Sequence, residues 1–243
     1  TPGSRCDWAI RGRQGRSVML RHIIFDLDGT LVDSVGITVA IIESMLARRG
    51  IAMTVCPLTT RAHVSAGGEA MIAAVMGVHC SNPKDDIAEF RRIHAEIQTP
   101  PDTLFPQVAD QLAVLAAAGF TLSICSNKPQ NLCEKVLSDL GIAHHFSVIV
   151  GSRDGLRKKP HPDLMDIALA ELGARAEECL FVGDSELDLL AAHHFKMPFV
   201  LVEWGYVEDI ARLEDAPGEY ELVSDMVALV ALAERLRSGR VAA

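Results

Sequence analysis

Two aspartates separated by one residue, Asp26 and Asp28, stand directly after the apolar run Ile23-Ile24-Phe25. Three further places put polar chemistry at the end of an apolar run. Ser126-Asn127-Lys128 follows Phe120 to Cys125, the pair Lys158-Lys159 comes after Phe146 to Val150, and Asp184-Ser185, with Asp188 one helical turn on, follows Cys179 to Val182. If those runs are strands of one open parallel sheet, their polar ends share a crevice, because such sheets bind ligands beyond the carboxyl ends of their strands. That crevice collects several carboxylates, at least one lysine and a hydroxyl. Clustered carboxylates repel one another, so the arrangement calls for a cation, and an oxygen-rich set suits a hard ion such as Mg²⁺. A carboxylate can also attack phosphorus and carry a phosphoryl group covalently. A second carboxylate two residues beyond it can protonate a leaving oxygen and then deprotonate water. Lysine and hydroxyl donors can neutralise and orient the group in transit.

The elements that must position these residues follow from the pattern of apolar residues. After Asp26-Leu27-Asp28-Gly29 the sequence turns helical from about Ser34 to Ile97. Ile37, Ile41, Ile42, Met45 and Leu46 recur at helical spacing up to Gly50, and Ala70 to Met76 and Ile87 to Ile97 read as two more helices. No convincing strand lies in this stretch. Thr99-Pro100-Pro101 marks a boundary, after which strand and helix alternate: a helix opened by Pro106, the strand Phe120 to Cys125, a helix from Pro129 to Leu140, the strand Phe146 to Val150, a helix from Pro162 to Leu172, the strand Cys179 to Val182, a helix from Ser185 to Phe195, the strand Phe199 to Val202, a short strand at Leu222-Val223, and a last helix capped by Ser224. Such alternation implies an α/β fold, a doubly wound parallel sheet with helices on both faces and a Rossmann-like core. The helical stretch is too long for a loop and is expected to be an inserted cap. The expected organisation is an α/β core of residues 21–34 and 100–243, a cap of residues 35–99, and a disordered extension of residues 1–20, in which Met19 is a candidate start.

Four segments carry a family resemblance. Phe25-Asp26-Leu27-Asp28-Gly29-Thr30-Leu31-Val32-Asp33-Ser34, Cys125-Ser126-Asn127-Lys128-Pro129, Lys159-Pro160-His161-Pro162-Asp163 and Val182-Gly183-Asp184-Ser185-Glu186-Leu187-Asp188 resemble, in order and spacing, the four motifs of the haloacid dehalogenase superfamily. The resemblance covers about residue 21 to 236. It implies that Asp26 is the nucleophile and a metal ligand, and that Asp28 is the general acid and base, binding metal through its carbonyl. It further implies that Ser126 and Asn127 bind the phosphoryl group, Lys159 pairs with the nucleophile, and Asp184 and Asp188 complete the Mg²⁺ site. The dehalogenase branch lacks the second aspartate of the first motif, so Asp28 favours phosphate chemistry. The phosphonate-cleaving branch has a different first motif and a Schiff-base lysine in its cap, whereas Lys84, the one cap lysine, sits beside Asp85 and Asp86. The motif variants, with Trp204-Gly205-Tyr206 downstream, look most like the phosphoglycolate phosphatase branch. That branch implies hydrolysis of 2-phosphoglycolate through an aspartyl-phosphate. A sugar-phosphate mutase would share every core residue, and a non-catalytic interaction protein on this fold would have been free to lose its acids. The run Ala191-Ala192-His193-His194-Phe195-Lys196-Met197-Pro198 departs from the family in lacking a capping glycine, so that corner is expected to be built differently.

Within the cap, Gly67 and Gly68 read either as a helix break or as a loop whose amides approach substrate, and Arg61 either as a substrate contact or as a solvated helix residue. Of the two neighbouring lysines, Lys159, next to Pro160, is expected to face the site. The histidines lack metal-site spacing. Composition limits the partners. A formal net charge of −9 argues against general binding of nucleic acid or anionic membrane, apart from any local basic patch. The resemblance implies a small phosphorylated metabolite as partner, with the protein a monomer or homodimer. The six scattered cysteines form no C-x-x-C pair, consistent with free thiols and a cytoplasmic protein.

Overall fold

A computed structural model of the chain describes residues 19–64, 68–207, 213 and 216–238. The expected extension at residues 1–20 therefore lies almost wholly outside the described residues, as does Gly67. Six strands form one parallel sheet: β1 (His22–Phe25), β2 (Thr121–Pro129), β3 (Phe146–Ser152), β4 (Cys179–Gly183), β5 (Phe199–Val202) and β6 (Glu221–Val223), in the spatial order β3-β2-β1-β4-β5-β6. In register, Phe25 of β1 lies between Ile124 of β2 and Val182 of β4. The chain winds outward from β1 to β3 on one side, crosses over, and winds outward from β4 to β6 on the other. The winding therefore reverses between β1 and β4, and a crevice opens at their carboxyl ends.

Both faces of the sheet are buried, which explains why its strands read as continuous apolar runs. Ile23, Phe25, Leu180 and Val182 point to the face covered by α5 (Val108–Ala117), α6 (Gln130–Asp139) and α9 (Met226–Arg237). Ile24 and Phe181, one residue out of phase, join the opposite cluster under α7 (Asp163–Leu172) and α8 (Glu186–Phe195). Full burial of each such side chain contributes about 1.5–3 kcal/mol. The expected helical cap is inserted between β1 and β2. Its helices α1 (Val35–Arg48), α2 (Pro57–Val64), α3 (Gly68–Met76) and α4 (Pro83–Glu96) bury a separate cluster that includes Ile41, Met45, Ile72 and Phe90. The two chain crossings between cap and core run side by side: Asp33 N donates to Thr103 O at 2.7 Å and Phe105 N to Leu31 O at 3.1 Å.

Local details correct the sequence reading. The cap contains α2, which the apolar pattern missed because only Thr60 and Val64 of its eight residues are buried. Helix α5 starts at Val108 rather than Pro106, after Gln107 in a left-handed conformation at φ 65°. The last helix is capped by Asp225, whose carboxylate accepts from Ala228 N at 2.8 Å, and not by Ser224. The corner after α8 is closed by the usual left-handed residue after all. Lys196 adopts φ 53° in place of a glycine, so the departure from the family is one of residue type and not of backbone path.

Candidate active site

The crevice between β1 and β4 is roofed by the cap and encloses a cavity of about 80 Å³, lined by both parts of the molecule. Asp26 stands at the end of β1, 8% exposed, with its backbone N–H bonded to Val182 O at 2.9 Å. Lys159, from the loop after β3, reaches it beneath the sheet ends. Its ammonium donates to Asp26 Oδ1 at 2.8 Å, to Asp188 Oδ1 at 2.6 Å and to Cys125 O at 2.8 Å, a complete set of three acceptors. Burial alone would lower the Lys159 pKa, but Asp188 and Asp26 outweigh it and raise it. Lys159 is thus a fixed positive charge. The neighbouring Lys158 faces the cavity from the side nearer the cap.

Asp26, Asp184 and Asp188 present carboxylate oxygens within 4.8 Å of one another, all buried. Burial pushes Asp26 up to about 6, against the pull of Lys159, and burial together with Asp188 and Asp26 raises Asp184 well above the usual range. One carboxylate oxygen of Asp184 accepts from Tyr206 N at 2.8 Å, while Oδ1 is buried with no hydrogen-bond partner. Asp188 is held by Ser185, whose hydroxyl and N–H donate to Oδ2 at 2.6 and 3.1 Å. Three carboxylates facing one ammonium, with an orphaned oxygen among them, fit a hard divalent cation. Glycines make this packing possible: a Cβ on Gly29, at φ +84°, would lie 2.1 Å from Asp184 Oδ2, and one on Gly205 would lie 2.2 Å from Asp184 Cβ.

Asp28 faces a different partner. Lys128 Nζ contacts both of its oxygens at 3.0 Å, and the Ser34 hydroxyl donates to Oδ1. Burial pushes the Asp28 carboxyl up, but Lys128 and Ser34 outweigh it and hold it below the usual carboxylate range. This ion pair ties the second motif to the first. Ser126, fully inside, lines the cavity, with its Oγ accepting from Lys128 N at 3.3 Å. Asn127 also lines the cavity, and it is engaged with a neighbouring loop. Its side chain accepts from Lys159 N at 2.8 Å and donates to Lys159 O at 3.2 Å, clamping the backbone that delivers the lysine.

The cap contributes residues that the sequence reading did not single out. Ile87, Phe90, Arg91 and His94 of α4, at helical spacing, line the cavity together with Gly68 at the start of α3. His94 is 2% exposed, and neither ring nitrogen has a hydrogen-bond partner. Burial, followed by the charge of Lys128, lowers its pKa to about 3, so the imidazole is neutral. Arg61 does not reach the cavity. Its guanidinium donates to Gly205 O and, at 3.3 Å, to Trp204 O, and lies 5.1 Å from the Tyr206 ring centroid. It clasps cap to core, which removes the geometric support for a substrate contact. The signal that could have found Arg91 and His94 is their phase on α4, shared with the apolar Ile87 and Phe90.

Comparison with known proteins agrees with this arrangement. The haloacid dehalogenase-like hydrolase pattern matches residues 23–202, which takes in the cap and the sheet from β1 to β5. The chain belongs to this family. It is 37% identical over 196 residues to the phosphoglycolate phosphatase of Yersinia pseudotuberculosis, a match covering 77% of this chain and 82% of that one. It is 35% identical over 188 residues to the phosphoglycolate phosphatase of Xanthomonas campestris, covering 76% and 84%. A crystal structure described as a predicted phosphoglycolate phosphatase from Haemophilus somnus superposes with a TM-score of 0.73 at 25% identity, over 88% of this chain and 97% of that one. By class this haloacid dehalogenase-like hydrolase is a phosphoric monoester hydrolase, like those relatives.

Proposed function

We propose that the protein hydrolyses a small phosphate monoester, 2-phosphoglycolate foremost, through a phosphoryl group carried on Asp26. The observation that carries this reading is the pairing at Asp26: a nearly buried carboxylate at the cavity floor, held by Lys159 beside Asp184 and Asp188. In the first step the Asp26 carboxylate attacks phosphorus, the bond from phosphorus to the ester oxygen breaks, and Asp28 gives that oxygen a proton. In the second, Asp28 takes a proton from water, the water oxygen attacks phosphorus, and the acyl-phosphate bond breaks to return Asp26. Lys159 keeps Asp26 ionised and offsets the charge of the transferring group, and the Ser126 hydroxyl donates to a phosphoryl oxygen. Asp26, Asp184 and Asp188 would hold Mg²⁺, with Asp28 contributing its carbonyl. When bound, the ion neutralises charge on the phosphoryl group. Lys128 tunes Asp28, since an ion pair that favours the carboxylate favours its service as the base.

The names of the relatives support phosphoglycolate. The test is phosphate release by purified protein with Mg²⁺ from a panel of 2-phosphoglycolate, sugar phosphates, nucleotides and p-nitrophenyl phosphate, with acid-quenched samples probed for acyl-phosphate. Phosphoglycolate should rank among the best. A panel led by sugar phosphates would remove the substrate assignment. A product in which the phosphate has moved to another hydroxyl of a sugar would favour a mutase. Among the described residues no helix is long and apolar enough to cross a membrane.

A further inference from the structure

Two cations meet at the outer end of the cavity with no anion between them. Lys158 comes from the core loop that also supplies Lys159, and Arg91 comes from cap helix α4; both line the cavity that holds Asp26. The point where a Cβ on Gly68 would stand is 3.3 Å from Lys158 Nζ and 3.9 Å from Arg91 Nη2. Neither side chain has an ion-pair or hydrogen-bond partner among the described residues. Arg91 lowers the Lys158 pKa, second only to burial, and Glu69 offsets part of this. Two like charges brought together in a half-buried place raise the energy of the closed molecule, and an anion between them reverses the sign. A second, independent sign of a missing ligand lies alongside: the buried His94 imidazole, one helical turn further along α4, has neither nitrogen satisfied.

We propose that Lys158 and Arg91 form a distal anion subsite, which selects phosphate esters carrying a second anionic group and draws the cap onto the core when that group arrives. The proposal rests on the phosphatase reading for its inner, phosphoryl end and deepens it by assigning the residues that meet the substrate's other end. Because one cation belongs to the core and the other to the cap, their repulsion favours separation of the two parts while the subsite is empty. A carboxylate at the distal end accepts from both and turns repulsion into a bridge. Arg91 and Lys158 also border a wider groove on the outer side, bounded further by Arg92 and Arg153. The subsite is therefore a gate between the catalytic cavity and solvent, and not a sealed end wall.

The test uses binding, so that it does not depend on turnover. In buffer containing Mg²⁺, isothermal titration compares 3-phosphonopropionate with propylphosphonate, which differ only by a carboxylate replacing a methyl group. Wild-type protein should bind the first about 10–100-fold more tightly, as expected for charge-assisted hydrogen bonds. Lys158→Met and Arg91→Met should each bring that ratio close to one, and Arg91→Lys should keep most of it. Equal affinity of the two ligands, absence of binding by both, or equal losses for both ligands in the variants would each overturn the subsite. A preserved preference without any hydrolysis of 2-phosphoglycolate would instead remove the phosphatase reading and leave the anion subsite standing.

Discussion

Core and cap face each other across one cavity, and they prepare it in opposite ways. On the core side the polar groups are already engaged. Lys159 has three acceptors, Asp28 is gripped by Lys128 and Ser34, and Asp188 is braced by Ser185. The exceptions at the cavity are one oxygen of Asp184, in the place suited to a cation, and Lys158 at the border with the cap. On the cap side, Arg91 and His94 reach the cavity with nothing to bond to among the described residues. The difference teaches a division of labour. Chemistry gains from groups that need no reorganisation during reaction, so the core is preorganised. Recognition gains from groups whose bonding is completed only by the right ligand, so the cap is left unsatisfied until closure.

The comparison breaks most sharply at Asp26. Asp26→Asn should lower kcat on every ester by about 10⁵-fold or more, because an amide cannot take the phosphoryl group. The melting temperature should stay within about 3 °C, since the change also removes one of three crowded carboxylates. Retention of activity by the refolded variant would show that the nucleophile lies elsewhere. Metal removal should be nearly as severe. Chelation should abolish turnover, and Mg²⁺ added back should raise the melting temperature of the wild type but not of Asp184→Asn, a readout independent of activity. An equal thermal response in both proteins would place the ion away from this cluster.

Lys128→Met tests the preorganised side more finely. Lys128 holds the Asp28 pKa down, so its removal should raise that pKa. A step that needs ionised Asp28 would then fail at higher pH than before. With p-nitrophenyl phosphate, whose leaving group needs little help, the acidic limb of the kcat profile should move up by about one pH unit. A limb that stays in place would show that Asp28 does not serve as the base.

The contrast between core and cap also explains what the sequence disclosed. Asp26 and Asp184 were legible because each sits at the end of an apolar strand within a short motif, and strand ends of a parallel sheet converge by topology; Lys159 was legible from the short motif in the loop after β3. The parallel sheet and inserted cap were legible from the change of apolar period at Thr99-Pro100-Pro101. The use of Asn127 was not, because its partner is the backbone of Lys159, 32 residues away. Lys128 was hidden in the same way, meeting Asp28 across 100 residues. Arg91 and His94 lie on a helix whose other faces carry charge to solvent, and only the fold shows which face meets the cavity. Arg61 was left open between substrate and solvent for the converse reason: a cap arginine suggests an anion, yet here two backbone carbonyls and a tyrosine ring occupy it.

Arg61→Ala separates those two uses of a cap cation. As a clasp on Trp204 and Gly205, its loss should reduce kcat/KM for 2-phosphoglycolate and p-nitrophenyl phosphate alike, by less than about tenfold, or about 1 kcal/mol. A loss confined to phosphoglycolate would return Arg61 to the substrate.

The smallest effect belongs to a place in the cap that neither grips nor recognises anything. Gly36 lies in the first turn of α1, and a Cβ there meets nothing within 4 Å. Its φ is not in the left-handed region, so Gly36→Ala adds no strain and narrows the unfolded ensemble. The expected gain is about 0.5 kcal/mol, or roughly 1–2 °C in Tm, with kcat/KM unchanged. The same exchange at Gly205 would drive a methyl into Asp184, so the pair measures the comparison at its two extremes with one chemical change. If Gly36→Ala lowered kcat/KM while raising Tm, the start of α1 would be taking part in cap movement. Ser34, the residue just before this helix, donates to Asp28, so such a result would mean that the preorganised grip on the acid depends on how the cap is held.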